Sequence, residues 1–110
     1  MQLSTPQPNE LDIIELLRSK PELSLTVGDR GTILEVYPDR QYLVEFADDN
    51  GETIALCDLD RSDFVVTWQA ETERTVSIEE RFLSVISQLS SQRQQQAWDF
   101  MRLLIDTSEV

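Results

Sequence analysis

Asn50 and Gly51 stand between two stretches in which apolar and polar side chains alternate, and this arrangement constrains the fold more than any other feature. Both residues tolerate positive φ, so the pair predicts a two-residue hairpin turn. Ahead of it, Tyr42, Val44 and Phe46 alternate with Leu43 and Glu45, a two-residue period that predicts a strand over Gln41–Phe46. Behind it, Glu52–Leu56 reads as the return strand, with Ile54 and Leu56 on one face. Pro38-Asp39-Arg40 is a second turn signal, following the β-branched, apolar run Thr32–Tyr37. Leu25-Thr26-Val27 leads into Gly28-Asp29-Arg30-Gly31, a corner where the chain bends and where Asp29 and Arg30 would pair locally. Asp58–Asp63 reads as a polar turn before a last strand, Phe64–Trp68. Short strands this closely spaced curl into a barrel or a strongly twisted sheet, which hides their edges. We expect an SH3-like β-barrel over residues 23–70.

Both flanks read as helical, making the fold class α+β. Residues 1–8, with Pro6 and Pro8, form a flexible lead-in. Asn9 is a candidate helix cap, and Leu11, Ile14 and Leu17 recur at helical spacing before Lys20-Pro21, so Glu10–Ser19 is expected to be a short amphipathic helix. Residues 1–22 then make a lead-in and N-terminal helix. Gln69–Val76 is polar and reads as a linker or a ragged strand end. Ser77-Ile78-Glu79-Glu80 is a capping box, followed by Phe82, Val85, Ile86 and Leu89 at helical spacing. A second box, Ser91-Gln92-Arg93-Gln94, opens a helix with Ala97, Phe100, Met101, Leu104 and Ile105 on one face. Residues 77–107 are therefore expected to form an αα-hairpin.

The charge narrows the partners. The chain carries 21 acidic and 9 basic residues, a formal net charge of −12. Residues 1–70 hold 14 of the acids and 5 of the bases. Such a field repels phosphate backbones and anionic lipid headgroups, so neither direct nucleic-acid binding nor membrane binding is expected. A basic protein partner fits, and plain solubility is the alternative account of the same charge. The N-terminal residues lack the basic and apolar regions of a signal peptide, and no apolar run approaches the roughly 20 residues that cross a bilayer. The expected location is the cytoplasm.

Little conventional chemistry fits these residues. There is no histidine, which removes the Ser-His-Asp and Cys-His nucleophile systems and histidine general bases. A single cysteine, Cys57, cannot build a thiolate zinc cage or an internal disulfide, and a buried apolar role suits it. The 3 glycines form neither a phosphate-binding loop nor a dinucleotide fingerprint. Asp58, Asp60 and Ser62 alternate as in a calcium loop, but Asp63 stands where that loop needs glycine and Gln69 where it needs a bidentate carboxylate. No catalytic residue, cofactor or metal site is predicted.

Leu11-Asp12-Ile13-Ile14-Glu15-Leu16-Leu17, Val27–Ile33, Glu35-Val36-Tyr37, Tyr42–Phe46 and Gly51–Leu56 together resemble a bacterial family known as domain of unknown function 4926. The resemblance spans roughly residues 11–66 and implies a short helix with a small β-barrel, without catalytic residues. Leu89–Phe100 is similar to the C-terminal part of small antitoxin-type proteins, in which such a run precedes a leucine-rich helix. The expected function is that of a non-catalytic, acidic protein-interaction module, an antitoxin-like neutraliser of a basic partner. A structural or accessory subunit of a larger enzyme complex is the alternative. Candidate partner-binding residues are Trp98, Phe100 and Met101 on the last helix, Tyr37 and Tyr42 as groove aromatics, and Asp48 and Asp49 at the hairpin tip. Homodimerisation through the C-terminal helices is a further use of the same surface.

Overall fold

The structure is a computed structural model that describes residues 6–107. It holds six strands: β1 (Ile13–Leu16), β2 (Arg30–Tyr37), β3 (Gln41–Ala47), β4 (Thr53–Asp60), β5 (Phe64–Gln69) and β6 (Arg74–Thr75). Two helices follow, α1 (Ile78–Ile86) and α2 (Ser91–Asp106). The strands form one antiparallel sheet in the order β4-β3-β2-β1-β5-β6. Chain neighbours pair through β1–β4, and β5 then crosses back to lie beside β1.

The predicted N-terminal helix is instead β1, a central strand paired with β2 on one side and β5 on the other. Ile14 and Leu16 satisfy both a helical and a two-residue period over so short a segment, so periodicity alone could not separate them. Two sets of ladder hydrogen bonds and full burial of both side chains decide for the strand. Leu11 takes a left-handed backbone (φ 70), which stops a helix at its first turn. The residues that resembled a helix cap make a tight turn: the Asn9 N–H donates to Asp12 Oδ2, and the Asp12 N–H donates to the Asn9 carbonyl. Asp12 is buried, and its second oxygen accepts from the Ala70 N–H, tying this turn to the end of β5. Of the expected flexible lead-in, Pro6 and Pro8 are buried, and residues 1–5 lie outside the described residues.

The sheet is open, where a closed barrel was expected. The two outer strands, β4 and β6, do not pair with each other; β6 extends the sheet past β5, and α1 lies against β5. Residues 69–76, expected as a linker or a ragged strand end, thus supply the end of β5, an edge strand and a fully buried core residue, Val76. The core is formed by Ile14, Leu16, Leu25, Ile33, Tyr42, Val44, Phe46, Ala55, Leu59, Phe64, Val66 and Val76.

The hairpins follow the turn residues with one change. Asp39 and Arg40 both adopt positive φ between β2 and β3. At the β3–β4 loop only Gly51 does so (φ 82), and Asp48 Oδ1 accepts from the Asn50 and Glu52 N–H groups. The loop is therefore longer than a two-residue turn, and the pairing register shifts between Phe46 and Ala47. With that shift Ala55 and Leu59 point inward, while Ile54 and Leu56 face solvent. β4 also runs on through Cys57 to Asp60, beyond the predicted stop at Leu56.

The capping box of α1 is as predicted, with Ser77 Oγ accepting from the Glu80 N–H and the Glu80 carboxylate accepting from the Ser77 N–H. The cap of α2 lies one residue earlier than predicted: Ser90 Oγ accepts from the Arg93 N–H, and no box closes because the third helical position is Arg93 rather than Gln94. The radius of gyration is 15.5 Å, where a compact chain of this length would give about 13 Å. The excess fits α2, which buries none of its side chains against the sheet.

Candidate functional site

The helices present the unusual chemistry. α1 turns its polar side inward: Glu80 and Ser84 are buried, while Ile78, Phe82 and Leu83 are exposed. Specific polar contacts fix this orientation. Arg74 forks onto the Glu80 carboxylate at 2.8 and 3.1 Å, and Arg61 Nη2 reaches Ser84 Oγ at 3.5 Å. Hydrogen bonds from Arg74 hold the Glu80 carboxyl down at about 2, against the opposing pull of desolvation. Of the apolar stripe read from the sequence, Ile78 and Phe82 are exposed, while Val85, Ile86 and Leu89 are half-buried.

α2 continues this exposed surface. Trp98, Phe100, Met101, Leu103, Leu104 and Ile105 are all exposed, with Ile105 at 80%. Together with Phe82 of α1, the residues Trp98, Met101, Leu104 and Ile105 line an almost wholly apolar cleft of about 510 Å³. Phe100 and Leu103 lie to the other flank, so apolar side chains occupy more than one face of the helix. A helix apolar around so much of its circumference belongs in an interior, not in water. The expected hairpin thus exists as two consecutive helices with a cleft between them, and its apolar stripes are not used up against the sheet.

The predicted contact residues divide accordingly. Trp98 and Met101 share the exposed cleft, while Phe100 is exposed on the other flank of α2. Tyr42 belongs mainly to the core: it is 6% exposed, with its ring edge-on to Phe64 at 5.2 Å between centroids, and it meets the surface where it borders a cleft beside Arg40 and Arg61. It points inward with Val44 and Phe46 because all three share one phase of the β3 alternation. Tyr37 is half-buried near the end of β2; desolvation, then the Glu35 and Asp58 charges, push its hydroxyl pKa up. Asp48 and Asp49 are exposed at the β3–β4 tip, remote in the sheet order from the helices that follow β6, and Asp48 spends one oxygen on its own turn. The sequence reading missed Phe82 as a contact residue; its position on α1 marked it for the core, and only the inverted packing of that helix exposes it.

The other candidates have structural roles. Asp58 lies in β4, while Asp60 and Asp63 form a capping box around the single turn Arg61–Asp63, which leaves no calcium loop there. Asp63 also meets Lys20 at 3.5 Å and Arg18 at 3.7 Å. Asp29 accepts from the Thr26 N–H at 2.9 Å, closing the Gly28 corner rather than pairing with Arg30. Burial pushes the Cys57 thiol pKa up. Among the described residues, no three histidine, cysteine or acidic side chains gather as metal ligands, and no helix is long and apolar enough to cross a membrane.

Residues 10–66, from the turn before β1 to the middle of β5, match the family described as domain of unknown function (DUF4926). The match takes in just over half of the chain, and the chain belongs to that family. Both helices of the exposed apolar surface lie beyond the matched residues. No curated protein and no solved structure matches the chain.

Proposed function

We propose that this chain is a non-catalytic protein-interaction module, in which the open sheet is a scaffold and α1 and α2 are the docking surface for a basic protein partner. The observation that carries this reading is the exposed apolar cleft between Phe82 and the Trp98, Met101, Leu104 and Ile105 face of α2. Aromatic and methionine side chains of this kind anchor protein interfaces. Charge chooses the occupant. A second copy would bring two chains of net charge −12 together, whereas a basic protein gains from the same field during encounter. Neutralisation of a basic partner by masking, as an antitoxin does, is the specific form of this activity, exercised in the cytoplasm. The return of β5 to β1 supports reading the sheet as an open variant of the SH3-like barrel.

Capture of partners by the tagged chain in its own host, at low and at high salt, tests the proposal. A stoichiometric basic protein, weakened by salt and lost in the double variant Trp98→Ala, Ile105→Ala, is the expected result. A homodimer that survives dilution, or a partner bound equally by the double variant, would overturn it.

A further inference from the structure

A second cleft, of about 300 Å³, lies between β3, the turn after β4, and α1. Its chemistry is the reverse of the helical surface. Arg40 and Arg61 line it together with Tyr42 and Ser84, and Gln7 and Gln88 stand at its margin. No carboxylate lines it, in a chain with 21 acidic residues. Among the described residues, Arg18, Lys20, Arg74 and Arg102 each have a carboxylate within ion-pair distance, whereas Arg40 and Arg61, like Arg30, Arg81 and Arg93, have none. Asp39 and Asp60 are the adjacent acids in sequence; the oxygens of Asp60 accept from Ser62 and Gln41, and neither acid lines the cleft.

The groups between the arginines are donors held in place. Arg61 is fixed over the Phe64 ring at 5.3 Å and donates through Nη1 to the Phe64 carbonyl at 3.0 Å. Burial, and with it the neighbouring Arg40 charge, lowers the pKa of the Arg61 guanidinium, while Tyr42 opposes the shift. The two arginines are thus close enough for their charges to oppose one another, with the Asp60 carboxylate also within reach of Arg40. Tyr42 and Ser84 are 6% and 2% exposed, and both border the cleft. The Tyr42 hydroxyl makes no hydrogen bond among the described residues, and the Ser84 hydroxyl accepts only the long contact from Arg61. Both hydroxyls have a proton free to donate, and a cleft edged by two guanidiniums is where an anionic acceptor would be welcome.

We propose that this cleft binds the dianionic phosphate group of a small molecule, with Arg40 and Arg61 balancing its charge and the Tyr42 and Ser84 hydroxyls donating to its oxygens. Guanidinium forks match phosphate geometry, and the cavity is at the small end of ligand sites. The negative field of the rest of the chain is screened beyond about 8 Å at physiological ionic strength, so the local donors dominate. This site is independent of the helical docking surface.

Titration calorimetry of the full chain with inorganic phosphate, against chloride at equal ionic strength, tests it. Saturable binding at or below roughly 10 mM is expected for the wild type and none for chloride. Arg40→Gln removes an exposed side chain with no described bond, and should weaken binding about tenfold, the scale of one charge-assisted contact. Tyr42→Phe keeps the ring against Phe64 and should weaken it severalfold, with unfolding midpoints of both variants unchanged in the absence of phosphate. No saturable phosphate binding, an unchanged affinity in Arg40→Gln, or tighter binding of acetate than of phosphate would each overturn the assignment.

Discussion

A methyl group added at Gly31 would lie 2.7 Å from Val44 Cγ1 and 3.0 Å from the Glu45 carbonyl. Neither neighbour can retreat cheaply, since Val44 is fully buried and Glu45 pairs in the ladder. Gly31→Ala should therefore cost about 1–3 kcal/mol in urea denaturation, as overpacking does. The sequence marked Gly28-Asp29-Arg30-Gly31 as a corner, and Gly28 with its φ of 97 fits that reading. The steric demand at Gly31 comes from the facing strand, which no local pattern reveals. Glu80 is a second case: its capping role was legible in Ser77-Ile78-Glu79-Glu80, but its fork with Arg74 was not. Because its pKa falls from 4.5 to about 2 on folding, the stability it adds is complete above pH 4.5 and lost as pH drops through about 2. Denaturation midpoints of wild type and Glu80→Gln should differ at neutral pH and converge between pH 4.5 and 2. A constant difference across that window would show that the charge of Glu80 is not what matters.

β1 and α2 mark the two ways in which local pattern and tertiary setting part company. Over Leu11–Leu17, helix and strand periods coincide, and only pairing with β2 and β5 selects the strand. The strands β2, β3 and β5 were legible from the β-branched run Thr32–Tyr37, the alternation of Gln41–Phe46 and the apolar side chains of Phe64–Trp68, each next to turn residues. β4 was legible as a strand but not in its phase, because the loop at Gly51 inserts residues and turns Ile54 and Leu56 outward. α2 was legible in full apart from its cap, yet its surroundings were not, since amphipathicity does not say what covers a stripe. A helix of this length without tertiary support is marginal in water. Ser90→Ala should thus lose about 1 kcal/mol of helix stability, seen as reduced far-UV helicity with the unfolding midpoint of the sheet unchanged. A lowered midpoint with helicity retained would mean that α2 is packed on the rest of the chain.

The net charge of −12 and the exposed apolar surface of the helices are the two properties on which the proposed docking rests. The acidity was legible in the composition, whereas the exposed apolar face emerged only once α1 was seen to turn its polar side to the sheet. In the free chain, α2 is bonded only within itself and near its cap, so its amides should open readily. A partner seated in the cleft between Phe82 and α2 would cover them. Hydrogen exchange on the purified chain, alone at low concentration and bound to its captured partner, reads this directly. The account predicts rapid exchange over residues 91–106 in the free chain and strong protection in the complex, with the exposed strand β4 unchanged. Protection of α2 in the free chain, or protection confined to β4 in the complex, would contradict it.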